Sequence, residues 1–538
     1  MSAARADHVG TSETRGRPRA VQALDDGPGA DRLWAAMPYV ATVGGWLALL
    51  PFKRWFVSPD GVVYAALADR FAAGDLAGAV TTYWSPLYPA LAAPLVALGV
   101  ETTMALRLVL LATALLALPL LRSLSLRCGA TRRGADVGTL LAVPLLVTAA
   151  WFAIYPELLL CVLALGLVWA LTAPVPAGGR GTGTAVLAGV LGGLAYLAKA
   201  IGLPFAVAVV VLVGLARLVR PDRPRREVLR RAAISLALVA VVAGPWVAAV
   251  SAEAGEPTIS SAGSYNARWA ADGSLGTPLT YDGLYAPAGP DAVTPWEDPA
   301  ALPDLRSEER GDGAVTGDER LDNVVEQLGT TLWVAVVRWW AVVPVALLGL
   351  ALALRRGGTA AATALGLVGA AAVLVGGLSL LVVIERYLWT PMLASIPLAA
   401  AGLAALGGRR ARPTTVVGVV LTGLVFVSLI PAFGLRFGKN QVEWRTAEQL
   451  EATAPLTGPV AGAQDWQATQ MLAYLSGVPY VGTTGTDADA EDVAAAMRAV
   501  GARHLVVWGD DGPPGLPPSE APVAVYDLTP EGFVVHGP

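Results

Sequence analysis

Long apolar runs recur along four-fifths of this sequence, and nothing else in it constrains the fold as tightly. A helix needs about 17–25 apolar residues to cross a bilayer. Runs near or within that length lie at Leu33–Phe52, Thr103–Leu121, Val137–Phe152, Leu158–Leu171, Thr184–Ala198, Leu203–Leu218, Ala232–Ser251, Thr331–Leu354, Ala360–Ile384, Leu388–Leu406 and Thr415–Phe433. Backbone polar groups find no water inside a bilayer, so such segments must satisfy their own hydrogen bonds as helices. Composition agrees: 55% of the 538 residues are hydrophobic and 15% are charged, against about 25% charged in soluble domains. The expected class is a polytopic α-helical membrane protein with about eleven spans, joined to a small C-terminal α/β domain.

Loop charge sets the expected orientation, because cytoplasmic loops collect Lys and Arg. The run Pro86–Val100 is short and proline-bounded, and it decides the parity. If it lies along the interface without spanning, one face collects the Arg-rich residues 1–32, Arg122, Arg127, Arg132, Arg133, Arg180, Arg217, Arg220, Arg223, Arg225, Arg226, Arg230, Arg231, Arg355, Arg356, Arg409, Arg410 and Arg412. That face is then cytoplasmic, with residues 1–32 a disordered tail. The opposite face carries a first external loop at 53–102, a long external loop at 252–330, and the tail 434–538. The second half of the long loop is acidic and reads as solvated chain.

The tail changes period. Pro459–Ala463, Pro479–Gly482, His504–Trp508, Val523–Leu528 and Phe533–His536 read as strands, and Ala468–Leu475 and Glu491–Val500 as helices. With two cysteines and three histidines spread along the chain, no disulfide framework or zinc pattern can be written. A hydrolytic triad is not expected. Nothing in the charge pattern calls for nucleic acid. The strong Arg and Ala bias fits a GC-rich bacterium, hence a multi-pass protein of the plasma membrane.

Ionisable residues at the mouths of apolar runs are functional candidates by default. Asp60, after Ser58-Pro59, either caps the helix that follows or serves as a general base. Glu157, after Tyr155-Pro156, either faces a helix dipole or forms a second acid of the same site. Lys199, one of three lysines, and Arg386 either snorkel, with Arg386 paired to Glu385, or hold a phosphate. Tyr64, Trp84, Tyr88 and Tyr387 are interfacial aromatics that can also flank a sugar or an isoprenoid chain.

In order along the chain, Asp60 with Tyr64 and Trp84-Ser85-Pro86-Leu87-Tyr88, Gly192-Gly193-Leu194-Ala195-Tyr196-Leu197-Ala198-Lys199, Gly244-Pro245-Trp246 with Gly255-Glu256-Pro257-Thr258, and Glu385-Arg386-Tyr387 with Pro391 form a pattern. It resembles the glycosyltransferase C superfamily, in the branch that uses polyprenyl-phosphate sugars and includes protein O-mannosyltransferases and lipid A aminoarabinose transferases. The resemblance spans Leu33 to Leu406. It implies transfer of a sugar, mannose or arabinose, from a polyprenyl-phosphate donor to an extracytoplasmic acceptor among surrounding membrane lipids. Asp60 and Glu157 would be the catalytic pair; Arg386, Lys199, Tyr64, Trp84, Tyr88 and Tyr387 would bind substrate. No cofactor is required, and a divalent cation is left open. The chain departs from the mannosyltransferase pattern in three places: Gly61 follows Asp60 where Glu is usual, Ser85-Pro86-Leu87 replaces His-Pro-Pro, and the second acid is Glu157. A transporter or flippase is the alternative class, and a non-catalytic scaffold a third.

Overall fold

A computed structural model describes residues 28–174, 181–219, 224–271, 283–286, 292–299, 317–407, 411–433, 438–484, 488–509, 512–519 and 521–536. Residues 1–27, and the acidic stretch with Asp304, Glu308, Glu309 and Asp312, lie outside these.

Helix α1 (Pro28–Lys53) leads into the first loop, which holds α2 (Pro59–Ala73) and α3 (Leu87–Ala97). At 11 residues and about 1.5 Å per residue, α3 is too short to cross a bilayer, as expected of Pro86–Val100. The bundle continues through α4 (Thr102–Arg127), α5 (Arg132–Trp151), α6 (Glu157–Leu171), α7 (Thr182–Ala198), α8 (Gly202–Val219) and α9 (Arg225–Ala254). In the long loop lie α10 (Ala262–Ala271) and a two-residue strand β1 (Gly283–Leu284). Then come α11 (Gly317–Arg338), α12 (Val343–Arg356), α13 (Gly358–Ser379), α14 (Trp389–Leu406) and α15 (Ala411–Phe433).

Among the described residues, seven helices are long and apolar enough to cross a membrane. Helices α6, α7 and α8 are apolar but shorter. One expectation is corrected: the run Thr331–Leu354 is not one continuous helix. It divides into α11 and α12, which meet at a 102° bend where Trp339 and Trp340 precede Pro344 in the first turn of α12. Composition sees an apolar run there interrupted by one charge, Arg338; proline and the buried Trp339, whose indole donates to Ser395, turn the chain.

Small residues let the helices approach. A Cβ on Gly189 or Gly193 of α7 would stand 2.5 Å from Leu238 or Val242 of α9, a small-xxx-small seam of the kind that packs membrane helices. Leu116, Val241 and Phe426 face outward, as lipid contact requires.

The C-terminal region contains α16 (Gln441–Thr453), β2 (Val460–Ala463), α17 (Trp466–Leu475), β3 (Tyr480–Thr484), α18 (Ala490–Val500), β4 (His504–Trp508), β5 (Val523–Thr529) and β6 (Gly532–Val535). Strands run in the order β1-β3-β2-β4-β5-β6. Strands β2, β3 and β4 are parallel and joined by helical crossovers, as parallel strands need. Alternate residues serve two faces: Val460 and Val506 pack with Leu472 of α17, whereas Ala461, Leu505 and Val507 pack with Val493 and Met497 of α18. The expected strands and helices fall where the period placed them. Helix α16 and strand β1 were not foreseen.

Candidate active site

Four ionisable residues far apart in sequence meet at one end of the bundle. Ser58 caps α2, its hydroxyl accepting from Gly61 N at 3.0 Å. Asp60 is therefore in the first turn and is not the cap, and its carboxylate is released for other partners. Glu157 opens α6 after Pro156. Lys199 ends α7 in an extended conformation. Arg386 sits in a 3-10 turn, Glu385–Leu388, at the start of α14.

Arg386 bridges the two acids. Its Nη2 donates to Asp60 Oδ2 at 3.2 Å, and its Nε lies 3.1 Å from Glu157 Oε1. The same Glu157 oxygen accepts from Lys199 Nζ at 2.6 Å. The guanidinium lies 3.8 Å from the centre of the Tyr155 ring, and Lys199 Nζ 4.3 Å from that of Tyr387, both cation–π distances. Two carboxylates and two cations balance, which is what allows Glu157 to be buried at 3% exposure; a buried charge without partners costs several kcal/mol, on the order of 3–5 when one partner is removed. The expected local pair Arg386–Glu385 does not form: Glu385 pairs with Arg338 at 3.5 Å.

Two backbone features bring Asp60 and Glu157 together. Ala153 and Ile154 both have positive φ, 51° and 62°, a left-handed conformation that costs about 1–2 kcal/mol per non-glycine residue. The turn is held by Ser58, whose Oγ donates to the Ala153 carbonyl at 2.8 Å. Gly61 makes room for it. A Cβ there would stand 2.9 Å from the Ala153 oxygen and 2.9 Å from Val57 Cγ1.

A small cavity adjoins the cluster, lined by Leu160, Cys161, Ile201, Leu374, Leu378 and Thr390 together with Glu157, Lys199, Arg386 and Tyr387. Glu157 Oε2 is buried with no hydrogen-bond partner among the described residues.

The other expected aromatics lie beneath the cluster. Tyr64, Trp84 and Tyr88 are 3%, 6% and 0% exposed and pack edge to face, Tyr64 lying 5.2 Å from Trp84 and 5.4 Å from Tyr88. Tyr88 spends its hydroxyl on the Leu106 carbonyl. Their rings are core of the first loop and present no open face to a sugar, because the loop is itself a folded layer. Sequence reasoning missed Trp296, whose indole Nε1–H donates to Asp60 Oδ1 at 3.2 Å. Its position in a long, partly acidic loop offered no signal. Tyr155, next but one to Glu157 in sequence, adds the ring against which the Arg386 guanidinium lies.

A second polar cluster lies in the sheet. Asp527 Oδ1 is 2.7 Å from His504 Nδ1 and 2.8 Å from His536 Nδ1. The Thr457 N–H donates to His504 Nε2, so a neutral His504 carries its proton on Nδ1 and gives it to Asp527. That nitrogen then has no lone pair for a metal, and the cluster is a hydrogen-bonded clasp.

At the sequence level the chain matches no family model and no curated protein. Solved structures do match. ArnT from Cupriavidus metallidurans in the apo state aligns with a TM-score of 0.54 at 14% identity, over 89% of this chain and 93% of that one. The same protein bound to undecaprenyl phosphate aligns with a TM-score of 0.54 at 15% identity, over 88% and 93%. The oligosaccharyltransferase AglB from Archaeoglobus fulgidus, solved with an inhibitory peptide and a dolichol-phosphate, aligns with a TM-score of 0.53 at 11% identity, over 88% and 70%. At these identities the likeness is one of architecture: this chain shares the multi-pass helical membrane fold of those ArnT and AglB structures.

Proposed function

We propose that the protein is a membrane glycosyltransferase that moves a sugar from a polyprenyl phosphate to an extracytoplasmic acceptor. One observation carries the reading: two carboxylates and two cations meet beside a small, mostly apolar cavity that Glu157, Lys199 and Arg386 help to line. A polyprenyl-phosphate sugar has the matching chemistry, an apolar chain ending in an anion with the sugar beyond it. The solved ArnT and AglB structures contain undecaprenyl phosphate and dolichol-phosphate, which supports this donor class.

In this reading Arg386 and Lys199 keep their carboxylate contacts and turn their remaining N–H donors to the phosphate. Arginine suits the phosphate through its forked donors, and lysine adds a point charge. The acceptor hydroxyl attacks the anomeric carbon. Its proton passes to Asp60. The bond from the anomeric carbon to the phosphate oxygen breaks, and its electron pair stays on the phosphate, where the two cations stabilise the growing charge. A single displacement inverts the anomeric centre. Glu157 keeps Lys199 and Arg386 in place, and its open Oε2 can orient the acceptor. Mannose and arabinose are the sugars proposed. In this reading no step runs through a divalent cation, since both acids are already paired with side-chain cations, and transfer is expected to persist in EDTA.

The test is donor binding. Titration with polyprenyl phosphate is expected to give a Kd weaker by about 10–100-fold in Arg386→Ala, the scale of one or two lost charge-assisted hydrogen bonds. Unchanged binding would make Arg386 a structural bridge and remove the phosphate site.

A further inference from the structure

Among the described residues the long loop brings no charged group to the cluster, yet it reaches Asp60. A 3-10 turn, Pro295–Glu297, sets the Trp296 indole against Oδ1 of the carboxylate while Arg386 takes Oδ2. Donors on both oxygens fix the plane of the Asp60 carboxylate. Trp84 and Trp151 spend their indole N–H on backbone, the Trp296 and Trp46 carbonyls, each at 3.0 Å, and Trp339 spends its own on the Ser395 hydroxyl. Trp296 instead points its N–H at the acid read above as the general base.

The turn is held on several sides. Thr294 Oγ1 accepts from Trp296 N at 3.2 Å. Glu297 Oε1 accepts from Val293 N at 2.6 Å, and its Oε2 pairs at 2.6 Å with Arg70, on the same helix α2 that carries Asp60. Asp298 accepts from Thr82. The indole is 7% exposed and meets Tyr265 and Trp84 edge to face at 5.8 and 6.2 Å.

The C-terminal region grips both partners. Tyr480 N donates to the Val293 carbonyl at 2.8 Å, Gln470 Nε2 donates to Thr294 Oγ1 at 3.1 Å, and β1 of the long loop pairs antiparallel with β3. From the other side of α17, the Tyr474 hydroxyl donates to Asp69 Oδ2 at 3.1 Å, and Asp69 also belongs to α2. The sheet and α17 thus hold the loop carrying Trp296 and the helix carrying Asp60 in one register.

Resting on the reading of Asp60 as general base, we propose that Trp296 is its positioning residue and that the C-terminal region exists in part to hold Trp296 there. The N–H and the guanidinium between them leave the outer lone pairs of the carboxylate aimed at one place, where the acceptor hydroxyl must arrive. Orientation of this kind is worth large factors in rate, since a misplacement of about 1 Å can cost on the order of 100-fold.

Trp296→Phe keeps a buried ring and removes the N–H; Trp296→His restores an N–H. With the purified full chain and a polyprenyl-phosphate sugar, Trp296→Phe is expected to lower kcat by about 10–100-fold with donor KM and polyprenyl phosphate binding unchanged. Trp296→His is expected to recover part of the loss. Gln470→Ala, remote from the reacting atoms, is expected to lower kcat in the same direction; unchanged kcat there removes the C-terminal region from the proposal. Wild-type kcat in Trp296→Phe, or a loss of kcat that tracks lost donor binding with no recovery in the His variant, overturns the positioning role. A second readout does not depend on the donor. In protein labelled with ¹⁵N-tryptophan, the indole resonance missing from Trp296→Phe is expected to shift in Asp60→Asn. An unmoved resonance overturns the contact whatever the substrate, whereas a shifted resonance in a protein that cleaves no polyprenyl-phosphate sugar faults the donor reading and leaves the contact standing.

Discussion

Asp60 works, in this account, because of what stands beside it. Ser58 takes the capping duty, so the acid need not satisfy the helix. Gly61 has no side chain, so the left-handed Ala153–Ile154 turn can close against α2 and bring Glu157 within reach of the same arginine. This explains why the chain carries Gly61 where the mannosyltransferase pattern has Glu: any Cβ would strike the Ala153 oxygen at 2.9 Å. Gly61→Ala is expected to cost about 1–3 kcal/mol of stability through overpacking. It is also expected to lower sugar transfer by about 100-fold through displacement of Asp60, as measured by thermal melting and initial rates on the same preparation. An alanine variant with normal rates would show that the two turns do not need this contact. Asp60, Glu157, Lys199 and Arg386 were legible in the sequence because ionisable residues beside apolar runs are few. Trp296 was not, because one aromatic in a loop of 79 residues (252–330) carries no positional information until the loop is folded.

At the scale of elements, the sheet shows what periodicity can and cannot reveal. Strands β2 to β6 and helices α17 and α18 announce themselves by hydrophobic period. Strand β1 does not: two residues have no period, and their pairing with β3 comes from a distant loop. The α11–α12 bend was hidden for the opposite reason, since the apolar run across it is interrupted by one charge, Arg338. The clasp of His504, Asp527 and His536 joins β4, β5 and the end of the chain, and it predicts a pH dependence. Burial holds His504 below the ordinary histidine value, against the pull of Asp527. As pH falls below about 6.5, unfolded chains take up a proton that the folded state resists, so stability is fully present above that value and is lost as pH falls. Amides of β4 and β5 in the full chain are therefore expected to lose hydrogen-exchange protection at pH 5.5 relative to 7.5, beyond the intrinsic effect of pH. His504→Asn is expected to flatten that difference. An equal difference in the variant would place the titrating group elsewhere.

Taken whole, the molecule separates its charges by end. Basic residues of the loops opposite the cluster tie helix ends together: Arg356 donates to the Gly129 carbonyl at 2.7 Å and Arg217 to the Leu171 carbonyl at 2.7 Å. The acid–cation cluster, the long loop and the C-terminal sheet share the other end. Loop charge read from the sequence placed these ends in the cytoplasm and outside, respectively. Single cysteines in a cysteine-free background at Leu76 and at Glu531, both exposed, are expected to react with a membrane-impermeant maleimide on intact cells, and one at exposed Arg355 only after permeabilisation. The reverse pattern would place the site on the cytoplasmic side. The most direct test of the account is cleavage of a labelled polyprenyl-phosphate mannose or arabinose by the purified protein with envelope acceptor, comparing wild type with Asp60→Asn. Release of polyprenyl phosphate by the wild type, abolished in Asp60→Asn while that variant still binds polyprenyl phosphate, is the predicted result. Equal cleavage by both proteins would contradict it.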